Sequence, residues 1–364
     1  MSGSTEIQAT VAELQQAVRN AVVRRTPLRL RGGGSKDFYG DSLLGEVLDL
    51  RAHAGVVSYD PTELVMTARG GTPLAEVEAL LAEHGQMLSF EPPHFGAAAT
   101  LGGCIAAGLS GPRRASNGLY FGAVRDFVLG CRVLDGRGQV LSFGGAVMKN
   151  VAGYDVSRLM AGAMGTLGVI LEVSLKVLPV PAANRTLMFA MPQQEALDRL
   201  NEWGGQPLPV SACTWYDGRL HVRLEGAVAA VESAISRLGG DLVPTSEAAE
   251  HWAAVREQAA PFFRAEGALW RLSVPSVAPV LDVPGVQLIE WGGAQRWLRT
   301  DADAEQVRAA AQAAGGHATA FRRADRGLSA FAPLSPMLES LQRRMKAVFD
   351  PHGVLNPGRM GPGR

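Results

Sequence analysis

Apolar residues at Val11, Leu14, Val18 and Val22 recur at helical spacing and stop before Pro27, so the chain opens with an amphipathic helix. Alternation through Leu28-Arg29-Leu30 predicts a strand running into the glycine loop Arg31-Gly32-Gly33-Gly34-Ser35. β-prone runs follow at Glu46 to Leu50, Gly55 to Tyr59 and Leu64 to Ala68. Residues 73–84 read as a helix with Thr72 as N-cap, Pro73 at its first position, Gly85 as its stop, and Leu74, Val77 and Leu81 on its buried face. A Gly-rich loop and helix occupy the charge-free stretch from Pro92 to Pro112. Asp126 to Leu134 and Gln139 to Phe143 flank Asp135-Gly136-Arg137-Gly138, a hairpin signal. A short helix from about Val156 and the run Gly165-Thr166-Leu167-Gly168 lead into the apolar strand Val169 to Leu178.

Beyond Pro179 and Pro181 the order changes. Strand Thr186 to Met191, helix Gln193 to Trp203, strands Val210 to Tyr216 and Leu220 to Leu224, and helix Val228 to Leu238 follow the order of a split βαβ layer. A second set places strands at Leu269 to Val274, Gln287 to Trp291 and Gln295 to Arg299, a helix at Ala304 to Ala314 and a strand at His317 to Phe321. One sheet with helices on one face uses both sets. Helix Pro336 to Phe349 and an irregular tail, Asp350 to Arg364, finish the chain. The boundary falls at Pro179 to Asn184, giving domains over 1–180 and 185–364.

Composition narrows the function. Lys+Arg 35 against Asp+Glu 35 leaves no net charge to drive binding to polyanions, which disfavours nucleic acid as a partner. Cys104, Cys131 and Cys213 are far apart and form no C-x-x-C, so a reducing compartment fits, and no export signal or membrane span is visible. There is no G-x-G-x-x-G, no Walker lysine, no H-E-x-x-H and no G-x-S-x-G, which removes the support for Rossmann, P-loop, zinc-hydrolase and serine-hydrolase chemistry.

Glycine is in excess, and it clusters. Gly32-Gly33-Gly34, Gly102-Gly103, Gly118 and Gly122, Gly153, and Gly162-x-x-Gly165-x-x-Gly168 all lie in the first 170 residues. Glycines let successive backbone N–H groups converge on an anion and let the chain approach a phosphate or flat ring closely. A pyrophosphate-bearing cofactor and simple tight turns both account for any one cluster.

Four segments carry a resemblance. Arg31 to Ser35, Ala99-Thr100-Leu101-Gly102-Gly103, Val124 to Gly130 and Gly165-Thr166-Leu167-Gly168-Val169-Ile170 resemble the FAD-contacting segments of the vanillyl-alcohol-oxidase (PCMH) type flavoproteins. The tail Phe349-Asp350-Pro351-His352-Gly353-Val354-Leu355-Asn356-Pro357-Gly358-Arg359 is similar to the closing motif of their FAD-linked oxidase C-terminal domain. Glu91-Pro92-Pro93-His94, Gly111-Pro112-Arg113-Arg114, residues 147–155 and Gly315-Gly316-His317-Ala318-Thr319 resemble the E subunits of bacterial glycolate oxidases within that family.

The resemblance implies an α+β fold: a PCMH-type FAD-binding domain of two α+β subdomains, followed by a ferredoxin-like FAD-linked oxidase C-terminal cap. It places Arg31, Gly32, Gly33, Gly34 and Ser35 around the pyrophosphate, and Ala99, Thr100, Gly102, Gly103 and Cys104 against pyrophosphate and flavin. Gly122, Arg125, Asp126, Gly165, Gly168 and Val169 would hold the adenine side and ribityl chain, and Gly153 and Tyr154 would close the site. Relatives with covalent FAD often carry histidine in the first loop, where this chain has Ser35-Lys36, so non-covalent FAD is expected. The sister catalytic subunits resemble one another in a G-H-x-G-D-G-N-x-H substrate and metal motif; this chain offers only Gly316-His317-Ala318-Thr319, and no metal is expected.

Oxidising a 2-hydroxy acid needs a base near neutrality, a cation for the carboxylate and a flavin to accept hydride. His94 and His317 are the candidate bases, Arg113 and Arg114 the candidate carboxylate anchors. The favoured reading is a cytoplasmic FAD-binding subunit that oxidises glycolate or D-lactate only with a homologous catalytic flavoprotein subunit and an iron–sulfur subunit, associated with the inner membrane peripherally through that complex. Three cysteines cannot supply four thiolates, so any cluster is on a partner. A self-sufficient flavin oxidoreductase and a non-catalytic assembly subunit are the alternatives.

Overall fold

The computed structural model describes residues 3–113, 122–145, 155–323, 325 and 327–361, with residues 3–10 as backbone only. Helix α1 (Gly3–Arg24) leads through strands β1 (Leu28–Arg31), β2 (Glu46–Asp49), β3 (Val56–Asp60) and β4 (Val65–Arg69) to α2 (Leu74–Glu83), β5 (Gln86–Met87) and α3 (Leu101–Ala107). Next come α4 (Val124–Phe127), β6 (Val128–Leu134), β7 (Val140–Gly144), α5 (Val156–Leu159), β8 (Val169–Lys176) and β9 (Leu178–Pro179). The following stretch holds β10 (Ala183–Ala190), α6 (Gln193–Gly204), β11 (Val210–Tyr216), β12 (Arg219–Gly226), α7 (Val228–Leu238), β13 (Asp241–Val243), α8 (Thr245–Arg256) and α9 (Pro261–Arg264). The chain continues through β14 (Ala268–Ser273), β15 (Val286–Glu290), β16 (Gln295–Thr300), α10 (Ala304–Ala313), β17 (His317–Arg322) and α11 (Pro336–Phe349).

Two layers position the site. The first is the antiparallel sheet β3-β4-β8-β6-β7, whose alternating apolar residues Met66, Val133, Val173 and Leu175 pack under α2 and α3. Beside it the parallel pair β1-β2 is bridged to the C-terminal tail at Leu355, and Leu14, Val18 and Ala21 of α1 cover Leu28, Val169 and Leu355. The second layer is the eight-stranded sheet β13-β10-β12-β11-β15-β16-β14-β17. Its outer face packs Leu187, Val222 and Leu224 against α6 and α7, and Trp270, Leu272 and Leu298 against α10.

The inner face turns toward the first layer. Tyr39, Leu109 and Met164 share a core there with Leu269, Leu288, Trp297 and Phe321. Two buried ion pairs cross the same seam: Arg113 to Glu225 and Arg223 to Glu91, both bidentate, with distances of 2.8–3.1 Å. Trp291 Nε1 donates to the Gly111 carbonyl at 3.0 Å, and Arg323 to Asp41 at 3.0 Å. No helix among the described residues is long and apolar enough to cross a membrane.

Three local expectations change. Helix α2 begins at Leu74 with Pro73 in the cap position, and Thr72 instead donates its hydroxyl to the Arg69 carbonyl at 2.7 Å while accepting from Gly55 N–H. The segment between α7 and β14, which the pattern leaves without elements, holds the short strand β13 and the helix α8. The helices of the second half do not all share one face: Trp252 Nε1 of α8 donates to Thr186 Oγ1, and Thr186 pairs with Arg223 on the inner face.

Candidate functional site

Strand β1 delivers the chain into a loop that only glycine can build. A Cβ at Gly33 would sit 1.5 Å from the Ala98 carbonyl oxygen, and Gly34 has φ of +72°. The loop is therefore pressed against residues 98–100, with its backbone turned to the opposite side. Among the described residues, the N–H groups of Gly33, Gly34 and Ser35 donate to no protein acceptor.

Facing this loop is the start of α3, where Thr100 Oγ1 accepts from Gly103 N–H at 3.3 Å. Gly102 N–H donates to the Gly70 carbonyl at 2.7 Å, and a Cβ on Gly102 would meet that oxygen at 2.8 Å. A third wall is Met164, Gly165, Gly168, Val169 and Ile170, entering β8. The tail supplies a fourth: Asn356 Oδ1 accepts from Leu30 N–H and its Nδ2 donates to the Met164 carbonyl, both at 2.7 Å. Arg359 reaches the Lys36 carbonyl at 3.0 Å from the same tail.

The cleft is cationic. Arg29 and Arg31 share Asp37 at 2.5 and 3.1 Å, and Lys36 Nζ lies 3.2 Å from the His94 carbonyl oxygen. Burial lowers the Lys36 pKa, with Cys104 and Glu257 pulling it back up. Burial also lowers Arg359 to about 10, against the pull of Asp37. Arg31, Lys36 and Arg359 in the cleft lining, together with free backbone donors, make a receptor for an anion held by main-chain N–H groups.

Of the expected cofactor residues, Arg31, Gly32, Gly33, Gly34, Ser35, Thr100, Gly102, Gly103, Gly165, Gly168 and Val169 line this one cleft. Ala99 lies behind the wall, its carbonyl accepting from Leu74 N–H at 2.8 Å. Cys104 is also behind it, in the apolar core, where burial pushes its thiol up to about 12. Gly122, Arg125 and Asp126 stand at the start of α4, outside the cleft lining, with Asp126 3.9 Å from Arg158. Gly153, Tyr154 and Arg114 lie outside the described residues.

The expected catalytic residues are elsewhere. His94 Nε2 is 2.9 Å from Glu78 Oε2, and its backbone N–H meets Glu257. His317 is exposed at the start of β17, its pKa lowered by partial burial and by Arg271. The guanidinium of Arg113 is committed to Glu225. Sequence reasoning missed Lys36, Asp37, Gly70, Asn356 and Arg359 as lining residues. Only Asn356 and Arg359 carried a signal, in the tail motif already quoted. No group of three or more His, Cys, Asp or Glu among the described residues can hold a metal ion.

Comparison with known proteins gives this geometry a family. Residues 7–144 match the family described as FAD binding domain. Glycolate oxidase subunit GlcE of Escherichia coli (strain K12) is 51% identical over 347 residues, covering 95% of this chain and 96% of that one. Glycolate oxidase subunit GlcD of Bacillus subtilis (strain 168) is 32% identical over 167 residues, covering 45% of this chain and 34% of that one. The crystal structure of p-cresol methylhydroxylase with substrate bound superposes with a TM-score of 0.67 at 15% identity, covering 97% of this chain and 87% of that one. That likeness shows the fold: an α+β FAD-binding architecture with a C-terminal β-sheet cap. With half its residues identical along nearly the whole length, the chain belongs to the glycolate oxidase GlcE family of FAD-binding flavoprotein subunits.

Proposed function

We propose that the cleft between the Arg31–Ser35 loop, α3, β8 and the tail binds FAD non-covalently. In this reading the chain is the flavoprotein subunit of a glycolate-oxidase-type complex. That complex oxidises a small 2-hydroxy acid, glycolate or D-lactate, to the 2-oxo acid and passes the electrons to an iron–sulfur partner. The observation that carries the reading is the row of unpartnered N–H groups at Gly33, Gly34 and Ser35, set among Arg31, Lys36 and Arg359. These donors suit a diphosphate, and Gly102, Gly165 and Gly168 let the cleft walls pack closely on Gly70, Asn356 and Val133, where a Cβ would lie 2.2–2.8 Å from the nearest atom. The described residues lining the cleft include no histidine, cysteine or tyrosine to attack a flavin ring, which supports non-covalent binding.

When bound, FAD supplies a two-electron acceptor. The protein's part is to hold and orient it. Main-chain N–H groups of the first loop bind the diphosphate, Lys36 and Arg359 balance its charge, and Asn356 fixes the loop by holding Leu30 N–H. Neither His94 nor His317 nor Arg113 reaches this cleft, which supports substrate chemistry shared with a homologous catalytic subunit. The complex would be cytoplasmic, meeting a membrane only through its partners. Anaerobic titration with glycolate tests the reading: the flavin of this chain is expected to bleach in the assembled complex. A complex that turns over with this chain's flavin unbleached and removable without loss would make it an assembly subunit instead.

A further inference from the structure

The inner face of the eight-stranded sheet buries a carboxyl that no step above uses. Glu290 ends β15, directly opposite Thr214 of β11 and Gln295 of β16. Its Oε2 accepts from Gln295 Nε2 at 2.9 Å and from Trp297 Nε1. Gln295 cannot turn its amide over, because its Oε1 accepts from Arg271 Nε at 2.6 Å. Arg271 in turn hydrogen-bonds Tyr39 across the seam. With both donors on Oε2, the other oxygen, Oε1, has no partner among the described residues.

Glu290 lines a cavity of about 20 Å³ with Ser110, Arg256, Gln258, Arg271, Phe95 and Phe321. The Ser110 hydroxyl is buried without a protein partner. That volume and polarity suit a single water between Ser110 Oγ and Glu290 Oε1. Phe95 of this cavity approaches the FAD cleft, where Lys36 Nζ lies 5.6 Å from its ring centroid. Charged and titratable groups facing Glu290 come from four directions: Arg271 on β14, Arg256 on α8, Glu91 beside Arg223, and the Cys213 thiol on β11.

We infer that Glu290 is the proton-exchange residue of the flavin site, taking up a proton through its water-sized cavity when the flavin is reduced and returning it on reoxidation. The inference rests on the FAD reading above. Oxidation of a 2-hydroxy acid to a 2-oxo acid releases two electrons and two protons. The flavin takes both electrons and one proton, and Glu290 takes the second, so the negative charge added on reduction is offset by neutralisation of the Glu290 carboxylate. Burial pushes the Glu290 carboxyl up to about 7, against the pull of Trp297, Gln295 and Arg271 and with Glu91 adding to the rise. It is therefore poised to respond near neutrality.

The test is the midpoint potential of the FAD-loaded full chain between pH 5.5 and 8.5, in the wild type and in Glu290→Gln. Glutamine keeps an oxygen for Trp297 and Gln295 and removes the titration. The wild type is expected to take up between one and two protons per electron pair near pH 7, approaching two about one pH unit higher, and Glu290→Gln about one throughout, with FAD content unchanged. Identical potential-against-pH curves overturn the role of Glu290 and leave FAD binding standing; a wild type that takes up no FAD overturns the FAD reading itself. Should the variant fail to fold, an isotope-edited infrared titration of the wild type decides. A protonated carboxyl band lost near pH 7 in the oxidised protein and persisting to higher pH in the reduced one supports the role, and absence of that shift overturns it.

Discussion

One methyl group probes the first loop. At Gly33 it would collide with the Ala98 carbonyl, a backbone atom that cannot swing aside, so Gly33→Ala is expected to weaken FAD binding by about 1–3 kcal/mol, roughly 5- to 150-fold in Kd. At Gly103 the nearest atom, the Thr100 hydroxyl, is 3.1 Å away and needs to give by only a few tenths of an ångström, so Gly103→Ala should weaken FAD binding less than Gly33→Ala; fluorescence titration of FAD onto the apo-chain separates the two. The seam pair Arg223–Glu91 makes a second prediction. Arg223→Leu leaves Glu91 buried without its partner and should cost about 3–5 kcal/mol in urea unfolding at pH 7. Burial opposes ionisation of Glu91, yet Arg223 and Arg113 hold its pKa at about 2. A depressed acid stabilises the fold above its unfolded value and loses that contribution as pH falls toward 2, so the cost of the substitution should shrink in acid. Glu290 has the opposite sign: its folded pKa is raised, the native state holds the extra proton, and stability falls as pH climbs from about 4.5 through 7. Nothing in the local sequence marks Glu290, because, apart from Gln295 and Trp297 just downstream, its environment is made by Arg271 of β14 and residues 109–112, distant along the chain.

Helix α3 depends on its cap. Thr100 Oγ1 accepts from Gly103 N–H and also fills the space beside Gly32, where a Cβ would lie 2.1 Å from that oxygen. Thr100→Ala should cost about 1 kcal/mol of stability, read by thermal or urea unfolding. The glycine loops were legible because a backbone requirement is written in the residue itself. The helix α8 was not: its sequence TSEAAEHWAAVR places small alanines on several sides of the helix, so the contrast between buried and exposed faces is weak. Thr72 has the right residue type for an N-cap, but its hydroxyl is taken by the turn at Arg69. The hairpin of β6 and β7 followed from its turn chemistry, and the register pairs Leu134 with Val140 across Asp135 to Gln139.

The cleft joins segments from the whole chain. Residues 7–144 match the FAD binding domain family, yet Asn356 holds Leu30 from 326 positions away, and Val354 accepts from Leu28 N–H at 2.7 Å. Asn356→Ala should therefore lower FAD occupancy and cost about 1–3 kcal/mol, since it leaves both the Leu30 N–H and the Met164 carbonyl unsatisfied. The tail motif was visible in the sequence as a resemblance; its task of clamping the first loop was not, because contact across that separation leaves no periodicity. The change of pattern after Pro179 was visible for the opposite reason, as it is carried by local strand and helix order. The most direct measurement on the account as a whole is the flavin content of the purified full-length chain from its visible spectrum, before and after acid precipitation. About one FAD per chain, released into the supernatant by acid, is the predicted result. A chain that stays colourless after incubation with excess FAD, or one whose flavin remains in the protein pellet, would contradict it.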